Sequence, residues 1–100
     1  MTQPSMERFL SRLRAESPHY PIDVQLYTRE DPTIEYFIHV LEVPVEELTR
    51  VSRRAWALAF EVFGEEAIPF HLTTIDPEQS AEYFPEALED HGRGQGQIRA

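Results

Sequence analysis

The chain has 100 residues, of which 41% are hydrophobic and 27% are charged, a balance that suits one domain with one core and excludes a chain disordered throughout. It contains no cysteine, which excludes disulfides, thiolate metal sites and cysteine nucleophiles. Eighteen acidic residues against nine arginines give a formal charge of −9, which disfavours nucleic acid as a partner because two polyanions repel each other.

The first predicted element is a short amphipathic helix that is capped by Ser5 and ends by Ser17. A serine suits the N-cap position, where its side chain accepts a hydrogen bond from the first turn. Pro18 and Pro21 disfavour helical geometry in the residues before them, so residues 17–21 are predicted to be an extended connector. The apolar residues of the helix recur every three or four positions and predict one buried stripe, formed by Met6, Phe9, Leu10 and Leu13.

Two strands are predicted next, joined as an antiparallel hairpin. Residues 22–28 alternate between apolar and polar side chains, which is typical of a half-buried strand. The polar run at residues 29–33 predicts a turn. The second strand, residues 34–43, is partly apolar on both faces, so we expect it to be covered on both sides.

A long amphipathic helix is predicted from Pro44 to Phe63. Pro44 suits the first turn, the carboxylates of Glu46 and Glu47 suit the positive N-terminal end, and Gly64 predicts a left-handed stop. At about 1.5 Å per residue the helix is roughly 30 Å long, enough to cross a sheet. Its predicted buried stripe, widened by three aromatic residues, consists of Leu48, Val51, Ala55, Trp56, Leu58, Ala59, Phe60, Val62 and Phe63.

Residues 67–75 alternate again and predict a third strand, in which Pro69 lacks an amide proton. The strand is therefore expected to lie at a sheet edge or to start after the proline. Asp76 and Pro77 form the cap and first-turn pair of a short helix that Pro85 interrupts. The last twelve residues, 89–100, hold three glycines and few apolar side chains, which predicts a flexible C-terminal tail.

These elements predict one α+β domain at residues 1–88, with the tail at residues 89–100. The fold is expected to have two layers, a three-stranded sheet and helices packed on it, in the order α-β-β-α-β-α. The order of the strands within the sheet stays open. The longest apolar run, residues 55–60, is far shorter than the roughly 20 residues that span a bilayer, so we expect a cytoplasmic protein without a membrane segment.

Two histidines form the candidate ligand site. His39 on the second strand and His71 on the third both fall on the less apolar sheet face, and Tyr27 and Glu35 are expected near them. Such a group can bind a metal or shuttle a proton, although polar residues on a half-exposed face are the simpler interpretation. No two histidines have helical metal-ligand spacing and no nucleotide-binding motif is present, so no metal site, cofactor or catalytic residue is predicted.

Arginines form a second candidate site on the long helix, where Arg50, Arg53 and Arg54 can grip a phosphate or an acidic partner. A solvated helix face with an ordinary pair between Glu46 and Arg50 is the simpler interpretation. A role in RNA or ribosome association stays open only if the first helix adds its arginines to the same face. These are Arg8, Arg12 and Arg14.

The outer sheet face is the candidate interface. If both larger helices pack on the inner face, an apolar patch is left, formed by Tyr27, Phe37, Leu41, Val43 and Ile75. Either the segment 77–88 folds back over this patch or another chain covers it. A second copy of the chain is the favoured partner, since most oligomers are symmetric homo-oligomers.

The sequence therefore predicts a small, acidic, non-enzymatic interaction or regulatory module. It is expected to form a homodimer, or to bind another protein, through the open sheet face or an exposed edge strand. The alternative is a small ligand- or metal-binding protein or enzyme that uses His39 and His71 on the open sheet face.

Overall fold

The structure, a computed structural model, describes residues 4–27 and 34–89. The predicted turn at residues 29–33 and residues 90–100 of the predicted tail lie outside this part. Residues 85–89 are helical, so Glu89 continues the last helical segment.

Three short strands form one mixed sheet: β1 (Ile22–Leu26), β2 (Tyr36–Val40) and β3 (Phe70–Thr74). Their order is β1-β2-β3, with β1 antiparallel to β2 and β3 parallel to β2. The predicted hairpin pairing is confirmed. Both predictions for Pro69 hold as well, because β3 lies at an edge and begins at the residue after the proline.

Helices complete the predicted order of elements and confirm an α+β fold. They are α1 (Pro4–Glu16), α2 (Leu48–Phe63) and α3 (Pro77–Tyr83), with a 3-10 turn at Val45–Glu47 before α2. The carboxylate of Asp76 caps α3 by accepting a hydrogen bond from the Gln79 amide at 2.8 Å, as predicted.

The core lies between the inner face of the sheet and the two longer helices, α1 and α2. Ile38, Phe70 and Leu72 are buried side chains of that face, and Phe9 of α1 and Leu58 of α2 belong to the same cluster. The rings of Phe9 and Phe70 stack with their centroids 5.0 Å apart. Burial of each such side chain contributes about 1.5–3 kcal/mol, so this layer fixes the sheet against the helices.

The predicted N-cap role of Ser5 is wrong. Ser5 lies inside α1, it is buried, and its hydroxyl donates to the carboxylate of Glu66, at 3.1 and 3.0 Å from the two oxygens. A buried hydroxyl needs a partner, and here a residue 61 positions away supplies it. The bond ties the start of α1 to the loop that precedes β3.

Gly64 ends α2, but not in the predicted left-handed geometry. Its φ of 60° is positive as expected, whereas its ψ of −118° lies outside the left-handed helical region. The Gly64 amide donates to the carbonyl of Phe60 at 2.9 Å, which closes the last turn. Phe60 itself is 62% exposed, so its predicted place in the buried stripe is also wrong.

Beyond β2 the chain turns sharply at Glu42. This residue has a φ of 56°, which only a minority of residues other than glycine adopt. The turn brings Val43 into the core, and its amide donates to the carbonyl of Ile75 at 3.0 Å. The Glu42 amide donates instead to the hydroxyl of Ser80 at 2.8 Å, which fixes α3 beside the end of β2.

Candidate functional site

An aromatic cluster occupies the outer face of the sheet, the face opposite α1 and α2. Phe37 and His71 are register partners on β2 and β3, and their rings stack with centroids 5.5 Å apart. Tyr27, just after β1, packs on the other side of Phe37 at 4.7 Å. Since side chains on one face of adjacent strands lie side by side, strand alternation alone brings these three residues together.

His39 lies two residues further along β2 and is held by an acidic partner. Its Nδ1 atom is 3.2 Å from an Asp23 carboxylate oxygen, and the side chain of Gln25 donates to the same oxygen at 2.9 Å. The two side chains of the pair are 18% and 19% exposed. A carboxylate in this position accepts a hydrogen bond from the imidazole and so orients the ring.

A shallow groove joins both predicted histidines. Its volume is about 350 Å³, and it extends around the edge of the sheet from the outer face toward α2. The lining residues are Phe37, His39, Trp56, His71, Leu72 and Thr73. Tyr27 contacts this group through Phe37, whereas the side chain of Glu35 is exposed and outside the lining.

The chemistry available in the groove is limited by its donors. Within residues 4–27 and 34–89, no group of three or more histidines and carboxylates is arranged to hold a metal ion. In the same ranges, His39 has Asp23 as its hydrogen-bond partner, and no hydroxyl is bonded to it as a nucleophile would be. Ligand binding by His39 and His71 therefore stays a prediction.

The predicted apolar patch is smaller than expected. Leu41 and Val43 have 0% exposure, so their prediction as interface residues is wrong for the folded chain. Val43 joins the core through the turn at Glu42, as described above. Ile75 is half-buried and uses its backbone to bind Val40 and Val43. Tyr27 and Phe37 are partly exposed as well, so three of the five predicted residues stay at the surface.

The C-terminal segment, residues 77–89, covers part of the outer face. The ring of Phe84 packs on His39 with a centroid distance of 4.7 Å. A second groove runs between this segment and β1, where Asp23 and Gln25 face Tyr83 and Phe84. The sequence left open whether the C-terminal segment or another chain covers this face. The C-terminal segment covers the half nearest β1, and His71 stays exposed on the other half.

The free edge of β3 is a second feature of this side of the molecule. The Tyr36 amide donates to the Pro69 carbonyl at 3.1 Å, and the Ile75 amide donates to the Val40 carbonyl at 2.8 Å. Because backbone groups alternate in direction along a strand, the amides and carbonyls of Phe70, Leu72 and Thr74 point away from β2. No strand of the described chain pairs with β3 on that side.

Aromatic side chains flank this edge on the helix side. Trp56 of α2 stacks on Phe70 at 5.8 Å and contacts Phe60 at 6.0 Å. Phe60 is among the most exposed large apolar residues of the described chain. The edge therefore has an exposed phenylalanine above it and the Phe37 and His71 stack below it.

Two of the three arginines of the predicted site pair with different carboxylates of the chain. Arg54 makes a two-pronged contact with Glu16, at 2.8 and 3.0 Å, and Arg50 pairs with Glu47. Arg53 is exposed and forms no ion pair with a described residue. The three guanidinium groups thus do not converge on one anion.

Hydrogen bonds from these arginines shift the pKa values of the carboxylates that accept them. The hydrogen bond from Arg54 lowers the pKa of Glu16, and the bond from Arg50 lowers the pKa of Glu47. Burial raises the pKa of Tyr20, and the hydrogen bond that its hydroxyl donates to Glu47 raises it further. Arg8 and Arg12 of α1 also have acceptors on α2, namely the Val62 carbonyl and the Glu61 carboxylate, whereas Arg14 is exposed.

Sequence reasoning missed three features of the site: Asp23, Phe84 and the exposure of Phe60 beside the free edge of β3. Asp23 was assigned only to the polar face of a strand, because its partner depends on the register with β2. Phe84 meets His39 only once the path of the C-terminal segment is known. The edge position of β3 was predicted from Pro69, and the sequence holds a second signal for it: residues 67–75 contain no Asp, Glu, Lys or Arg, which is unusual in a chain this acidic.

Comparison with protein-family models, with curated proteins and with solved structures gives no match to this chain. In residues 4–27 and 34–89, no helix has the length and apolar character needed to cross a bilayer.

Proposed function

We propose that this protein is an interaction module that associates with a second copy of itself through the free edge of β3 and the surfaces beside it. The single observation that carries the proposal is an edge strand that has no charged residue and no described strand on its outer side, in a chain of formal charge −9. An edge of this kind offers backbone donors and acceptors to any strand that can lie against it.

The absence of charge on β3 favours a second copy as the partner. Two copies of an acidic protein repel each other, and the repulsion is smallest where neither surface carries carboxylates. Natural edge strands that avoid pairing usually carry lysine, an inward charge or a central proline. Phe70–Thr74 has none of these, and Pro69 precedes the strand at a position whose backbone faces β2.

A charge placed on this edge tests the proposal. Thr73 is exposed on the outer face of β3, so Thr73→Lys adds a cation without removing a core contact. Sedimentation equilibrium should find a dimer for the wild type and a dissociation constant at least about tenfold higher for the variant, the equivalent of about 1.4 kcal/mol, since a lysine on an edge strand opposes the pairing of that edge.

Gln25→Lys is the matched control, because Gln25 is exposed on β1 at the opposite edge and the substitution makes the same change in net charge. Its dimer should be as tight as that of the wild type. A strictly monomeric wild type at high concentration, or equal weakening by the two lysines, would contradict the proposal.

A further inference from the structure

We propose, resting on the self-association above, that two copies join β3 to β3 in antiparallel orientation about a two-fold axis at Leu72. The two three-stranded sheets then form one continuous six-stranded sheet. Both pairs of long helices lie on the same side of it, because a two-fold axis perpendicular to the sheet keeps each face on its own side.

The backbone sets this register. Phe70, Leu72 and Thr74 are the residues of β3 whose amides and carbonyls point outward. Centring the axis on Leu72 pairs Leu72 with itself and Phe70 with Thr74 of the partner. All three outward residues of each strand then take part, and each pair exchanges two hydrogen bonds. A shift of the axis to residue 71 or 73 leaves one of the three residues without a partner in the strand.

Side chains on the outer face agree with this register. With the axis at Leu72, His71 of each copy lies directly opposite the partner's Thr73, so an imidazole meets a hydroxyl. With the axis at residue 71, two histidines would face each other and repel when protonated. Thr73 and His71 both line the groove beside Phe37, so the second copy completes the open side of that groove.

Side chains on the helix side agree as well. Leu72 meets its own counterpart on the inner face, and Trp56 and Phe60 of α2 stand beside the same edge. Pairing of the strands therefore brings the exposed Phe60 of each copy toward the two-fold axis. The exposed aromatic surface becomes part of a continuous apolar seam above the joined sheet.

Cysteine cross-linking tests the register, because the chain has no cysteine of its own. Directly opposite residues of a non-hydrogen-bonded antiparallel pair have Cα atoms about 4.5 Å apart, within the range that a disulfide bridges. Diagonal residues are about 7–8 Å apart, beyond that range. His71→Cys mixed with Thr73→Cys should thus form a disulfide-linked heterodimer under mild oxidation, whereas either variant alone should not cross-link.

Asp23→Cys mixed with Gln25→Cys is the matched control, since these β1 residues would be opposite each other if the β1 edges paired about Val24. This mixture should stay uncross-linked. A wild-type dimer whose His71→Cys and Thr73→Cys variants do not cross-link would overturn the register and leave the proposed self-association intact. A monomeric wild type, by contrast, would remove both.

Discussion

Ser80 joins the C-terminal segment to the end of β2. Its side chain has 0% exposure, accepts a hydrogen bond from the Glu42 amide at 2.8 Å and donates to the Ile75 carbonyl at 3.4 Å. The positive φ of Glu42 directs its amide away from the sheet, so the Ser80 hydroxyl takes the place of a backbone acceptor.

Removal of this hydroxyl should destabilise the whole domain. Ser80→Ala leaves the partly buried Glu42 amide without its partner, which costs on the order of 1 kcal/mol. Urea unfolding followed by circular dichroism should show a lower midpoint with an unchanged slope, so that the free energy of unfolding falls by that amount. Ser11→Ala, on the exposed side of α1, is the control and should keep or slightly raise stability, because alanine has the higher helix propensity. Equal midpoints for wild type and Ser80→Ala would show that water satisfies the amide instead.

Residue-scale prediction from the sequence succeeded where the partner is local. Asp76 was assigned as a cap because the amide it binds lies three residues ahead, within the same turn. Ser5 has the same cap chemistry but binds Glu66, and a local pattern holds no information on a partner so far along the chain. The turn at Glu42 also has no local signal, since glutamate rarely adopts a positive φ.

At the scale of elements, two ion pairs clasp α1 to α2. Glu16 near the end of α1 binds Arg54, and Arg12 binds Glu61 at 2.8 Å. The hydrogen bond from Arg54 holds the pKa of Glu16 below its usual range, so the pair stabilises the folded state while the carboxylate is ionised.

The ion pair between Glu16 and Arg54 should make the domain less stable as the pH falls into the acidic range. The stabilisation is complete above the unfolded-state pKa of about 4.3 and is lost as the pH falls through the lower pKa of the folded state. Melting temperatures of wild type and Glu16→Gln should therefore differ at pH 7 and converge below about pH 4. Glu65→Gln, at an exposed carboxylate without an ion pair to a described residue, should follow the wild type throughout. A constant difference between wild type and Glu16→Gln down to pH 3 would refute the ionic origin of the contact.

Periodicity predicted the three strands and three helices of the described chain, but it overestimated the strands and included the 3-10 turn Val45–Glu47 in the long helix. The second strand was predicted at residues 34–43 and spans Tyr36–Val40, because the chain turns at Glu42, where the alternating pattern gives no sign of a break. The buried stripe of α2 was predicted well except at Phe60. Phe60 lies at the border of the stripe, and whether such a residue is covered depends on the width of the sheet. A sheet of three strands leaves Phe60 exposed.

At the scale of the whole molecule, the acidic charge should act against association and salt should favour it. Two copies of formal charge −9 repel each other, while the proposed contact contains no ion pairs to be screened. Raising the salt concentration from about 10 mM to about 100 mM shortens the Debye length from about 30 to about 10 Å. The dimer dissociation constant, measured by sedimentation equilibrium, should fall several-fold over this range. A rise instead would indicate that opposite charges hold the copies together.

Layers and element order of the molecule could be predicted from the sequence, whereas the strand order could not. Tyr27, Phe37, His39 and His71 share the outer face as strand alternation implied, but Phe84 lies on that face because of a chain path that no local pattern encodes. The sequence therefore identified the face and left open how much of it the chain covers.

The strand order has a further consequence for the size of any assembly. Each copy has β3 at one edge and β1 at the other, so a two-fold contact between β3 strands uses the β3 edges of both copies at once. The joined sheet then ends in β1 on both sides, where Asp23 is engaged with His39 and the C-terminal segment lies alongside. A closed pair cannot grow by repeating its own contact, which gives an acidic protein with an open strand a finite complex in place of a fibre.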